Sequence, residues 1–327
     1  MTQMISRRAV AASLLAMPAV ARAQGSWSPT QPIRVIIPFP PGGTMDPVAR
    51  LAQEQLSREL GQPVVVEHRP GGGTVVGTQE AFRAPADGHT MIMVANSFAA
   101  NVTLRPSTPY NGLRDFVPLV MATVVPHVLA VHPSVATDFA GFLEAGRRPG
   151  AGLSFGSYGI GTSNHLGGEQ FRDLARLNAT HVPYTSPSQA HTDLIGGRLQ
   201  FMLANLPDMI QPAQLGQVRA VAISAETRVR ELPNVPTIAE LGFPLVLSDS
   251  WFGLVCRANV PAPARARLEA AWLSALAQPA VRGRLEEMGF TVLAHPSARF
   301  GEEIRRYTET YAPVSYTHLR AHETGRN

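Results

Sequence analysis

Two glycine-rich loops, each placed where a strand-like run gives way to a helical one, hold the residues of this chain best suited to gripping a ligand. The first, "PFPPGGTMDP", carries Gly42, Gly43, Thr44 and Asp46. Glycine has no Cβ and admits positive φ, so N–H groups at these positions can face a bound group at close range. The start of the next helix adds partial positive charge, and Pro38, Pro40 and Pro41 stiffen the loop before any ligand arrives. Such a loop suits an anion; a tight turn whose glycines serve only backbone geometry is the competing reading. The second loop, "SFGSYGIGTSNHLGGEQF", repeats the arrangement with Ser157, Gly159, Gly161, Thr162 and Ser163 and adds hydroxyls to the N–H groups. It favours the anion reading for both. His165, one turn into the second helix, is suited either to donating to a ligand or to closing a hydrogen bond within the turn.

Other chemistries lack their residues. "FGSYG" is missing the first glycine of a G-x-S-x-G nucleophile elbow, and "GIGTSN" has asparagine where a dinucleotide fingerprint needs its third glycine. All 28 basic residues are arginine, which removes lysine Schiff bases, the P-loop lysine and lysine general bases. The ten histidines show no metal-ligand spacing, so no metal site is assigned. Cys256 stands alone, which excludes an internal disulfide and reads as a buried thiol. Asp46 and Pro47 read as the N-cap and first residue of a helix reaching Leu60. Binding without catalysis is the favoured function, with an exported α/β hydrolase or transferase using a glycine-rich oxyanion loop as the alternative.

The elements behind these loops follow an α/β pattern. Strand-like runs recur at "IRVIIPF", "QPVVVEH", "HTMIMVAN", "HVLAVHP", "GLSFGS", "THVPY", "LQFMLAN", "VRAVAIS" and "SWFGLVC", with helical patterns between many of them. Ahead of them, Arg7 and Arg8 precede an apolar run from Ala9 to Val20 that ends in Ala21-Arg22-Ala23. That is the form of a signal peptide spanning residues 1–23, and it falls short of the roughly 20 apolar residues that cross a bilayer. The mature chain is expected to begin at Gln24 in the periplasm. The leader also carries Arg7, Arg8 and Arg22, so the remainder has 28 − 3 = 25 basic against 24 acidic residues. Nothing forms the basic stripe that nucleic-acid binding requires.

Taken in order, "PFPPGGTMDPVAR", "HRPGGGTVVGTQE", "ADGHTMIM", "GSYGIGTSNHLGGE", "HVPYTSPSQAHTDLIGGRLQFMLANLP", "LPNVPTIAELGFP" and "SWFGL" resemble the extracytoplasmic solute receptors of tripartite tricarboxylate transporters, the Bug or TctC family. The resemblance runs from about Pro32 to Phe300, and an ordered series of motifs is far more specific than one glycine pattern. It implies an α/β, two-lobed periplasmic-binding-protein fold (type II-like) with a ligand cleft between the lobes. It also implies a small carboxylate as ligand, no cofactor, a monomer, and delivery to membrane permease subunits. By motif, Gly42, Gly43, Thr44 and Asp46 fall in the first-lobe carboxylate loop, and Ser157, Gly161, Thr162 and Ser163 in the opposing one. Asn96 and Ser97 are further cleft candidates, and Trp251 is either a cleft wall or core. The implied lobes are 24–125 with 250–313, and 126–249. Thr185 and Ser186 depart from the lysine and glycine that family members often carry after "VPY". From Val314 to Asn327 the tail has no apolar period and is expected to lie outside the fold.

Overall fold

The computed structural model describes residues 27–246 and 248–318; the leader at residues 1–23 lies outside the described residues. In the first lobe, β1 (Ile33–Ile37) runs parallel to β2 (Val64–His68) on one side and to β3 (Thr90–Val94) on the other. Next in the sheet comes β9 (Asp249–Arg257), antiparallel to both β3 and the first part of the long strand β4 (Phe116–Val131). The short β10 (Thr291–Pro296) also pairs with β4.

β4 joins the two lobes. Up to Pro126 it pairs with β9, where Pro126 lies opposite Asp249. From His127 onwards it pairs instead with β7 (Phe201–Asn205) and β8 (Arg219–Ser224). Beyond β7 lie β5 (Leu153–Ser157) and β6 (Ala179–Pro183), parallel to one another. The chain returns beside the same point, with His127 N–H donating to Ser248 O at 3.3 Å.

Period-2 patterning places helices on both faces of each lobe. Ile33, Val35 and Ile37 pack against α1 (Met45–Leu60) and α8 (Ala262–Ala277), through Val48, Ala52, Leu56, Leu268 and Trp272. Ile36 turns to the other face with Phe98, Trp251 and Phe300. In the second lobe Leu129, Val131, Phe201 and Leu203 pack with Phe142, Phe155 and Phe171, whereas Val128, Ala130, Met202 and Ala204 face Leu194 and Met209. Each buried Val, Leu, Ile, Phe or Met among these contributes roughly 1.5–3 kcal/mol by leaving water, so each lobe has a core of its own beside the cleft.

Several expectations need correction. The stretch Phe116–Val125, absent from the strand-like runs, is the first part of β4. Pro118 sits at a register irregularity and Pro126 at the change of sheet, positions where a strand tolerates proline. β10 was not foreseen either, since its mostly half-exposed residues lack an alternating signal. α1 starts two residues before Pro47, with Thr44 rather than Asp46 at the N-cap position. A proline fits the first turn because its N–H would have no intrahelical partner there. Finally, α10 (Ser297–His318) continues past Val314, so the first part of the expected tail is helical; its remainder, residues 319–327, lies outside the described residues.

Candidate functional site

The two glycine loops face one another across a cavity of about 30 Å³ between the lobes. The first loop contributes Gly43 and Thr44 and the second Thr162 and Ser163, with Asn96 and Ser97 from the end of β3. α1, α3 (Asn96–Leu104), α5 (Ser163–Ala175), α6 (Pro187–Ile195) and α7 (Leu206–Gln214) all begin at this cavity. Each N-terminus presents N–H groups without intrahelical partners and roughly half a positive charge. No arginine, histidine or carboxylate is among the lining residues. The lining side chains are therefore uncharged, and the backbone dipoles that converge there favour an anion.

Some sequence candidates support the cavity from behind rather than lining it. Gly42 needs its glycine, with φ at 80°, but its N–H donates to Asp46 Oδ2 at 3.3 Å. Asp46 also accepts from Arg50 at 3.1 Å and meets His68 at 2.8 Å. Burial raises its pKa, but the hydrogen bonds from Arg50, His68 and Gly42 outweigh that and hold the carboxyl below its ordinary range. Asp46 thus braces the loop as an anion. Gly161 has φ at 86°, and a Cβ there would meet Leu104 Cδ1 at 2.9 Å, so the second loop packs directly on α3. Thr162 caps α5, its hydroxyl accepting from His165 N–H at 3.4 Å while donating to Gly159 O at 2.8 Å. Trp251 is core, against Phe300 and Tyr307, although its backbone N–H donates to Asn96 Oδ1 at 3.0 Å.

Ser157 and His165 belong to a buried group beneath the second loop. Ser157 Oγ lies 2.7 Å from His181 Nε2, and His165 stacks on His181 with ring centroids 4.0 Å apart at 32°. Donor atoms of His165, Glu169 and His181 lie within 4.8 Å of one another. Glu169 is paired with Arg172 at 2.7 Å. This geometry favours a hydrogen-bonded stack that supports the start of α5.

Sequence reasoning missed Tyr158, Asn164, Pro187, Asn205 and Ser250, all lining the cavity. Asn205 was within reach, since an asparagine just before Leu-Pro is a helix-start signal; the others carry none. Asn205 is central. Its Nδ2 donates to Thr44 Oγ1 across the cleft at 2.7 Å, and its Oδ1 accepts from Ser250 Oγ at 2.9 Å. Thr44 Oγ1 in turn donates to Asp208 Oδ2 at 2.9 Å. Tyr158 OH donates to the same carboxylate at 2.8 Å. Its own pKa is pushed well above the usual phenol range by burial first and then by Asp208.

Ser250 also lies 2.9 Å from His127 Nε2, with Ser248 Oγ 2.7 Å from Nδ1. That resembles a nucleophile, base and orienting group. The base fails electrostatically, because complete burial lowers the His127 pKa to about 3, only partly offset by Asn205. An imidazole so poised takes no proton from serine near neutral pH, and a serine stands where a triad has its carboxylate.

Residues 48–306 match the model of the tripartite tricarboxylate transporter family receptor. The chain belongs to that family. Among solved structures, a periplasmic transporter is 36% identical, with a TM-score of 0.83 over 89% of this chain and 98% of that one. MatC of Rhodopseudomonas palustris, solved with bound malate, is 27% identical, with a TM-score of 0.81 over 88% and 99%. The R. palustris protein Rpa4515, solved with adipate, is 28% identical, with a TM-score of 0.82 over 88% and 97%. The receptor thus has the two-lobed solute-binding fold, and its family and structural neighbours are solute-binding proteins rather than enzymes. The hydrolase alternative has no support.

Proposed function

We propose that this receptor captures a small organic acid between lobes formed by residues 24–125 with 250–313 and by residues 126–249, and delivers it to the permease subunits of a tripartite transporter. The observation that carries the reading is the convergence of five helix N-termini on a cavity lined by no charged side chain. Carboxylate is the chemistry it fits, with Gly43 and Thr44 at one end and Thr162 and Ser163 at the other. The malate and adipate held by its structural neighbours agree with that class. Among the described residues no helix is long and apolar enough to cross a membrane. The Arg7–Ala23 leader supports export to the periplasm and cleavage before Gln24, leaving a monomeric mature protein.

A thermal-shift screen of small carboxylic acids on the mature protein tests this reading. A true ligand at 100 times its Kd adds about 2.7 kcal/mol of stability, read as a clear rise in Tm. Stabilisation by neutral or cationic solutes alone, with no carboxylic acid effective, would overturn it.

A further inference from the structure

Asp208 is a carboxylate one hydrogen bond behind the wall of a site that takes an anion. Its side chain is 11% exposed. The groups facing it are Thr44, Tyr158 and His191, the last at 3.6 Å. His191 provides no firm counter-charge, because burial lowers its pKa against the opposing pull of Asp208. A ligand carboxylate in the place of the Thr44 hydroxyl would therefore meet the negative charge of Asp208, whereas one held by the backbone N–H groups of the first loop need not.

The hydrogen bonds around Thr44 show what fits instead. An ionised carboxylate only accepts, so the Thr44 hydroxyl must donate to Asp208, and it accepts from Asn205 Nδ2. Thr44 belongs to the first lobe and Asn205 and Asp208 to the second, so these bonds span the cleft. A cavity of about 30 Å³ has room for little more than one or two waters, so the lobes must part to admit an organic acid. The direct contacts across the cleft are what such an acid replaces. It then faces Asn205, which offers a proton, and Asp208, which demands one. A hydroxyl answers both, as Thr44 does; a carboxylate answers only Asn205, and an ammonium only Asp208.

We propose that Asp208, with Asn205, sets the specificity of the cleft for a hydroxycarboxylic acid, whose hydroxyl takes the place of the Thr44 hydroxyl between these two side chains. This rests on the carboxylate-receptor reading above and narrows it to a ligand class.

The test is calorimetric titration of wild type, Asp208→Asn and Asp208→Ala with matched sets of four-, five- and six-carbon diacids: unsubstituted, 2-hydroxy and 2-amino, such as succinate, malate and aspartate. In the set of best length, wild type should bind the hydroxy acid about ten- to a hundredfold more tightly than the unsubstituted one, the worth of one hydrogen bond to a charged group. Both variants should reduce that ratio below about threefold, Asp208→Asn doing so without loss of fold because it keeps the shape of the side chain. Equal wild-type affinities, a ratio unchanged in both variants, or tightest binding of the amino acid would each overturn the hydroxyl assignment while leaving the receptor reading intact. If wild type binds none of these acids and no other carboxylic acid stabilises it, the receptor reading fails and this inference falls with it.

Discussion

Gly43 is where the stiff first loop comes closest to the opposite lobe, and a side chain there tests whether the lobes close as described. Unlike Gly42, it is not in the positive-φ region, so an L-residue brings no backbone strain. A Cβ at Gly43 would lie 3.7 Å from Pro187 Cγ, across the cleft, and 3.8 Å from Pro40 O. Both are ordinary contacts, and Gly43→Ala should bind within about threefold of wild type, since the added methyl makes contact without overlap. Valine adds carbons about 1.5 Å further out, into space that Pro187 fills only when the lobes are closed. Overpacking costs roughly 1–3 kcal/mol. Charged against the closed form alone, that is about a fivefold to hundredfold loss of affinity. Titration with an acid identified by thermal shift, alongside urea denaturation to verify the fold, gives the answer. A folded Gly43→Val protein with wild-type affinity would refute the reasoning, since Pro187 would then not limit closure.

Other expectations follow from the same geometry. The His127 pKa of about 3 lies below the roughly 6.5 of an unfolded histidine. The neutral native form therefore contributes stability above about pH 6.5 and loses it as pH falls towards 3, by about 1.4 kcal/mol per pH unit. His127→Gln should flatten the pH dependence of urea-denaturation stability by that amount between about pH 6 and pH 4; identical slopes would count against the assignment. A Cβ on Gly167 would fall 2.1 Å from Ser248 Oγ and 2.7 Å from its Cβ. Gly167→Ala should cost about 1–3 kcal/mol in denaturant titration, and an unchanged midpoint would show that α5 has room to shift. Burial pushes the Cys256 thiol up to about 12, so an aromatic disulfide reagent should leave the native protein unlabelled at neutral pH and react on unfolding; rapid native labelling would contradict the buried environment.

The sequence disclosed the loops better than the cavity they form. Glycine and proline punctuation located both strand-to-helix turns, and Gly43, Thr44, Thr162 and Ser163 do line the cleft. Gly42 and Asp46, placed in the carboxylate loop by motif, bond to each other, a division of labour that loop composition does not encode. Asn205 and Asp208 act through contacts with Thr44 far away in the chain, and Tyr158 through Asp208, and no local pattern registers such pairing. The fold class was legible because β1, β3 and β7 are apolar strands separated by helices. The continuous β4 was not, because its prolines at 118 and 126 are tolerated by an irregular register and a change of sheet that only tertiary pairing reveals.

The most direct test of the binding site is the set of backbone amide resonances around the cleft, followed as a stabilising carboxylic acid is titrated in. Gly43, Thr44, Thr162 and Ser163 should show large shifts that saturate together with one Kd, while amides on the outer faces of α4 (Phe139–Arg147) and α9 (Pro279–Glu287) stay still. Saturable shifts confined to another surface, with these four unmoved, would contradict a ligand held between the two loops.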